Sequence, residues 1–158
     1  MDLCDLNTIK ALLGRHGFHF SKSMGQNFLI QDWVPRGLVE GAGVGPENGV
    51  LEIGPGIGPL TSQLAAAAQK VVAVELDRSL LPVLDETLAD FSNVEILPAD
   101  ILKLDIPALV DEKFSGMVPM ACANLPYNIT TPVITALIEA NRFSCIAVMI
   151  QREVALRI

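Results

Sequence analysis

Nowhere in its 158 residues does the chain hold an unbroken apolar run long enough to cross a bilayer, although 51% of the residues are hydrophobic. A spanning helix needs about 20 such residues in succession, so the apolar content reads as the core of a soluble globular protein. The opening Met1-Asp2-Leu3-Cys4-Asp5 is acidic and is not followed by an apolar signal core, so no secretory or transit peptide is expected and the expected location is cytoplasmic. Cysteine is sparse and odd in number. Cys4, Cys122 and Cys145 are the three present, which excludes a disulfide framework, and they lack metal-ligand spacing. They are expected to be reduced, with Cys122 and Cys145 in the core. His16 and His19 have no partner that would complete a zinc site, so no metal is expected. Basic residues are scarce through the middle: between residues 50 and 140, Lys70, Arg78, Lys103 and Lys113 stand against twelve carboxylates, within a net charge of −7. That excludes a generally basic nucleic-acid binder. Lys10, Arg15, Lys22 and Arg36 gather early, and Arg142, Arg152 and Arg157 late. If nucleic acid binds, those two ends are where contact is expected.

From Val50 onward, short apolar runs alternate with longer amphipathic stretches, the pattern of βαβ units. Strands are expected at Val50–Ile53, Val71–Glu75, Val94–Leu97, Met117–Ala123 and Cys145–Ile150, with helices near 59–68, 78–90 and 131–140 and a short one near 107–112. Right-handed crossovers then distribute the helices over both faces of a mostly parallel, twisted sheet. Pro59 suits a helix start, Asp77 a cap, and Thr130 or Thr131 with Pro132 the opening of the last helix. Ahead of the sheet, Asp5–Arg15 and Asp32–Glu40 read as helices, separated by a Gly- and Ser-containing stretch from Gly17 to Leu29. The expected organisation is a single domain over 1–158, with an N-terminal helical and leader segment at 1–45 and an α/β core at 46–158. The closing Gln151–Ile158 reads as the first turns of a helix without a stop signal.

Strand one runs directly into Gly54-Pro55-Gly56-Ile57-Gly58. Glycine lets the backbone turn through positive φ and approach a ligand closely. The spacing is G-x-G-x-G, one residue shorter than the dinucleotide fingerprint. A tight strand-to-helix connection alone would account for it. Glu75 adds weight, because it ends strand two 21 residues after Gly54, where a carboxylate can accept from two ribose hydroxyls. Asp100 follows strand three and can accept from an adenine amino group, or it can cap a turn. Ile101 could offer its N–H to the same ring. Together these residues point to an adenosine-containing cofactor. Glu52, behind the glycine turn, could steady the loop or approach a cationic group. After strand four comes Asn124-Leu125-Pro126-Tyr127, with the chain's only tyrosine. It can hold and stack a planar amino-bearing ring, or it can simply be a turn whose Tyr caps the core.

In combination, the glycine turn, Glu75, Asp100 and Asn124-Leu125-Pro126-Tyr127 resemble S-adenosylmethionine-dependent adenine methyltransferases. A second motif, Lys22-Ser23-Met24-Gly25-Gln26-Asn27-Phe28-Leu29, resembles the leader of the ribosomal RNA adenine dimethyltransferases. Within that group, Asn124–Ile129 looks most like the housekeeping small-subunit enzymes. The resemblance implies a Rossmann-like class I methyltransferase fold and S-adenosylmethionine as cofactor. It assigns Gln26, Asn27 and Leu29 to the methionine end of the cofactor, with Gly54 and Gly56 beneath it. Glu75 takes the ribose, Asp100 with Ile101 the cofactor adenine, and Asn124 stands at both the cofactor and base sites. Asn124, Leu125, Pro126 and Tyr127 form the catalytic set. The implied partner is small-subunit ribosomal RNA in an immature subunit, met by a monomer with no membrane and no metal. Family members continue with further strands and a C-terminal helical domain absent from this sequence, so an N-terminal piece, ending after the fifth strand, is expected. A noncatalytic nucleic-acid factor on the same fold and a DNA adenine methyltransferase are the alternatives. A dehydrogenase is disfavoured by the glycine spacing.

Overall fold

The computed structural model describes residues 1–19, 31–125, 128–150 and 156. Two helices, α1 (Leu6–Arg15) and α2 (Trp33–Ala42), precede the sheet. Then follow β1 (Asn48–Ile53), α3 (Pro59–Ala67), β2 (Lys70–Glu75), α4 (Leu81–Thr87), β3 (Val94–Pro98), α5 (Ile106–Lys113), β4 (Val118–Asn124), α6 (Thr130–Ala140) and β5 (Cys145–Met149). The five strands form one sheet in the order β3-β2-β1-β4-β5, and every neighbouring pair is parallel. The fold is therefore α/β, as the alternation of runs and amphipathic stretches predicts.

Central strands of such a sheet are covered on both faces, which is why they read as continuous apolar runs. All six residues of β1 are buried. Leu51 and Ile53 face one layer, where they pack with Val72, Val74 and Ala121 beneath Ile106 and Val110 of α5 and Val133 and Leu137 of α6. Val50 faces the other layer, with Val71, Met120 and Cys122 beneath Val39 of α2 and Leu60 and Leu64 of α3. Each fully buried aliphatic side chain stabilises the fold by about 1.5–3 kcal/mol. The third cluster joins Ile9, Leu12 and Leu13 of α1 to Leu80, Val83 and Ile57, so α1 braces the glycine turn from outside. Asp5 caps α1 by accepting from the Thr8 N–H at 2.9 Å, one of the donors a helix start leaves unpaired.

Three boundaries differ from the sequence expectation, each for a local reason. The stretch near 78–90 is a 3-10 turn (Arg78–Leu80) followed by α4, which ends at Thr87. Pro82 lacks the N–H that would bond back to Arg78, so the Leu81 N–H closes the tighter turn onto the Arg78 carbonyl instead. Strand β4 extends to Asn124, in register with Met149 of β5. Helix α6 starts with Ile129 in its cap position and no side-chain cap bond there. Cys122 is buried in the core as expected, whereas Cys145 is only half-buried, and all three cysteines are free.

A glycine in the centre of a sheet ordinarily weakens it, but Gly49 in β1 serves packing. A β-carbon there would lie 2.3 Å from Cδ1 of Phe114, a side chain only 2% exposed that closes the end of α5 over the sheet. Gly49→Ala is expected to cost about 1–3 kcal/mol through overpacking, read as a lower urea midpoint with unchanged slope. Wild-type stability in that variant would show that Phe114 is free to move aside.

Candidate active site

With β1 in the centre, the chain leaves β1 toward β2 and leaves β4 toward β5 on the other side. The loops beyond those strand ends therefore diverge, and ligands of open α/β sheets bind in the crevice so formed. A cleft of about 290 Å³ opens there, lined by Gly54, Glu75, Asp100, Ile101, Asn124 and Leu125. Six residues read from sequence as site candidates thus share one cavity. Its apolar floor comes from Ile53, Val74 and Ile129, and Leu76 joins them at the rim. Gln26, Asn27, Leu29, Pro126 and Tyr127 lie outside the described residues.

The glycine turn owes its shape to backbone demands that side chains resist. Gly54, Gly56 and Gly58 have φ of 71°, 61° and 100°, a region that costs other residues roughly 1–2 kcal/mol. The Gly54 N–H still bonds to the Val74 carbonyl at 3.0 Å, and the Gly58 N–H to that of Pro55 at 2.9 Å. The unusual spacing is explained at Gly58. It occupies the cap position of α3, and a β-carbon there would meet Oγ1 of Thr87 at 3.0 Å and Leu88 at 3.3 Å. Close helix packing, the task of the last glycine in the longer fingerprint, is done here one residue earlier.

Glu75 ties this turn to the next loop. Its Oε1 accepts from the Gly56 N–H at 3.1 Å and its Oε2 from the Asp77 N–H at 2.9 Å, which connects Gly56 to the cleft it does not itself line. Burial pushes the Glu75 carboxyl above its ordinary range, and the Asp77, Gly56 and Leu76 N–H groups oppose that rise without cancelling it. A carboxylate has about four acceptor sites, so capacity remains for hydroxyls in the cleft. Asp100 does cap a turn, since its Oδ1 accepts from the Leu102 N–H at 3.0 Å, yet it also lines the cleft. Asp77 likewise caps, accepting from the Ser79 N–H at 3.0 Å. Asn124 closes the opposite side, exposed at the end of β4. Its carbonyl oxygen lies 3.8 Å from where a Gly54 side chain would begin, and the Leu125 N–H bonds to Met149.

Behind the turn, Glu52 is 1% exposed and accepts from the hydroxyl of Thr61, itself fully buried in the first turn of α3. Burial, opposed by the Thr61 bond and reinforced by nearby Glu75, pushes its pKa up to about 8. Glu52 is therefore a neutral acid at pH 7. Cys122, its partner across the strand pair, is pushed up to about 12 by burial and by Glu52, so it is an inert thiol. Sequence reading left Glu52 undecided and missed Thr61 and Leu76. For Leu76 a signal existed, namely a leucine placed where a parallel strand meets solvent; it is 68% exposed.

Among the described residues, three of the basic side chains near the chain ends are held in ion pairs. Arg15 is held by Glu86 at 2.8 Å, Arg36 by Asp32 at 3.2 Å and Arg142 by Asp111 at 2.9 Å, while Lys22, Arg152 and Arg157 lie outside the described residues. Such exposed pairs contribute little to stability and open readily. Among the described residues no acid, His or Cys group could hold a metal ion, and no helix is long and apolar enough to cross a membrane.

A raised acid contributes stability that is fully present below its unfolded pKa and is lost as pH rises toward the folded value. Glu52 should therefore make the protein less stable between its ordinary 4.5 and about 8, with a slope approaching ~1.4 kcal/mol per pH unit. Glu52→Gln keeps an acceptor for Thr61 and carries no titrating proton. Urea titrations of the two proteins across that window are expected to show a flatter profile for the variant, and superimposable profiles would refute a neutral Glu52.

Comparison with known proteins adds sequence and structural kinship to this geometry. A family model described as ribosomal RNA adenine dimethylase matches residues 17–158. The chain is 47% identical over 149 residues to the ribosomal RNA small subunit methyltransferase A of Alkaliphilus metalliredigens, covering 94% of this chain and 52% of that protein. It is 50% identical over 150 residues to the protein of the same description from Shouchella clausii, covering 94% and 51%. The chain thus spans about half the length of the curated relatives it matches. Among solved structures, the 23S rRNA methyltransferase ErmE superposes with a TM-score of 0.67 at 29% identity, over 80% of this chain and 48% of that one. A dimethyladenosine transferase from Plasmodium falciparum gives 0.66 at 28%, over 80% and 44%.

Proposed function

The chain belongs to the ribosomal RNA adenine dimethylase family, and from that premise we propose that it binds S-adenosylmethionine in the cleft and serves dimethylation of the 6-amino group of adenines in small-subunit ribosomal RNA. The observation that carries this reading is the convergence of Gly54, Glu75, Asp100 and Asn124 on one cavity at the strand ends. Four chemically different requirements meet there: a backbone free of side chains, a ribose acceptor, an adenine-amine acceptor and an amide for the substrate base. The small-subunit assignment is supported by relatives at 47% and 50% identity whose descriptions name that subunit. In this reading the protein is a cytoplasmic monomer that meets its RNA in an immature subunit.

Glu75 holds the ribose hydroxyls of the cofactor, Asp100 and the Ile101 N–H hold its adenine, and Gly54 and Gly56 allow its close approach, with Gln26, Asn27 and Leu29 at the methionine end. Bound there, the sulfonium supplies an electrophilic methyl group. An adenine amine is a poor nucleophile because its lone pair is delocalised into the ring. The Asn124 amide oxygen and the Leu125 carbonyl accept its hydrogens, which localises the lone pair and orients it. No strong general base is needed, because the work is positioning and electrostatic stabilisation. Tyr127 would stack on the extruded base, a contact of about 1–3 kcal/mol.

Two measurements divide this site. Full-length protein incubated with S-adenosylmethionine and immature small subunits is expected to yield dimethyladenosine by nucleoside mass spectrometry, and cofactor binding without methyl transfer would favour the noncatalytic alternative. Glu75→Ala, which removes charge-assisted hydrogen bonds of about 1.5–3 kcal/mol, should weaken cofactor binding ten- to a hundredfold in calorimetry. Tyr127→Ala should bind cofactor normally and lose turnover. Equal loss of cofactor affinity in both variants would contradict the division of labour.

A further inference from the structure

We propose that Glu52 is a positioning residue for the cofactor turn: bonded to Thr61 across that turn, its carboxyl holds Gly54–Gly58 in the conformation that receives ligand. The inference rests on the cofactor reading above and adds a group that touches neither cofactor nor substrate.

The geometry is that of a clamp. Glu52 stands on β1 two residues before Gly54, and Thr61 stands on α3 three residues after Gly58. Both are buried, at 1% and 0% exposure, and the Thr61 hydroxyl donates to Oε1 of Glu52. The turn between them contains three positive-φ glycines, which resist unfolding least of all residues. Helix α3 has no side-chain cap bond at its start, so the Glu52–Thr61 bond supplies the tie that a cap would otherwise provide. From the cleft side, Glu75 holds the same turn through the Gly56 N–H. One loop is thus gripped by two carboxyls, on its hidden and its ligand side.

These two acids lie on one sheet face, because Glu52 is in register with Ala73, two residues before Glu75. Among the described residues, the titratable groups that face Glu52 are Glu75 on β2 and Cys122 on β4, with Cys145 on β5 beyond it, and no cation is among them. Were both acids charged, Glu75 would be repelled and the buried Glu52 anion would be left with a single hydroxyl. A neutral Glu52 spares Glu75 that repulsion.

The test is calorimetric titration of this chain with S-adenosylhomocysteine at neutral pH. Thr61→Val removes the tie and should weaken binding about five- to tenfold, and Thr61→Ser, which keeps the hydroxyl, should restore it. Glu52→Ala should weaken binding to a similar degree, and Glu52→Gln, which keeps an acceptor for Thr61, should restore it. Wild-type affinity in Thr61→Val, or no rescue by Thr61→Ser and Glu52→Gln, overturns the proposal. Failure of the wild-type chain to bind would instead overturn the cofactor reading beneath it.

Discussion

Strand β1 carries the molecule because it pairs on both sides. Its parallel ladders to β2 and β4 satisfy its backbone groups, and its alternating side chains enter two separate apolar layers. A buried strand with unpaired amides would cost more than its side chains return, so neither neighbour is dispensable. The same arrangement fixes where chemistry can occur. With β2 on one side and β4 on the other, the segments leaving β1 and β4 separate, and the cleft is the consequence. Gly54 and Asn124 face each other because the last pair of that ladder joins Ile53 to Ala123.

Burial raises both carboxyls near this crevice, and they differ in the donors that oppose it. Glu75 is 7% exposed, and backbone N–H groups reach both of its oxygens. Glu52 has a hydroxyl alone and complete burial, and it keeps its proton to about pH 8. Desolvation acts on both, and more donors resist it at Glu75. An acid placed in a core with no cation beside it among the described residues costs stability over much of the neutral range, where a leucine or methionine would pack without that cost. Its presence behind the turn is thus hard to explain by folding alone, and the clamp across Gly54–Gly58 supplies the reason.

Much of this was legible in the chain because the informative residues stand where the pattern changes. Glu75, Asp100 and Asn124 each interrupt an apolar run at its end, and in a parallel sheet all such ends lie on one edge. Gly54–Gly58 marks a strand-to-helix turn by composition alone. What stayed hidden depends on contacts that the local pattern does not encode. Thr61 is an ordinary helical threonine until the crossover folds α3 back over β1. The charge state of Glu52 follows from the layers that bury it. Strand β4 gains Asn124 only because β5 supplies Met149 as its partner, and the split of the 78–90 stretch follows from Pro82, whose missing N–H redirects a single hydrogen bond.

That last residue of β4 bears on how a methyl transfer could run without a strong base. Positioning is effective only if the positioned group is rigid, since a displacement of about 1 Å can cost on the order of a hundredfold in rate. An acceptor on a free loop would have to be ordered anew in each turnover. Asn124 instead belongs to a strand, with Met149 opposite it in the ladder, the Leu125 N–H bonded to the Met149 carbonyl, and Leu125 only 4% exposed in the core. The ordering entropy of the acceptor is therefore met once, when the sheet folds. In the proposed reaction the strand does for the amine what the buried clamp does for the cofactor turn: each transfers the stiffness of the core to an atom at its edge.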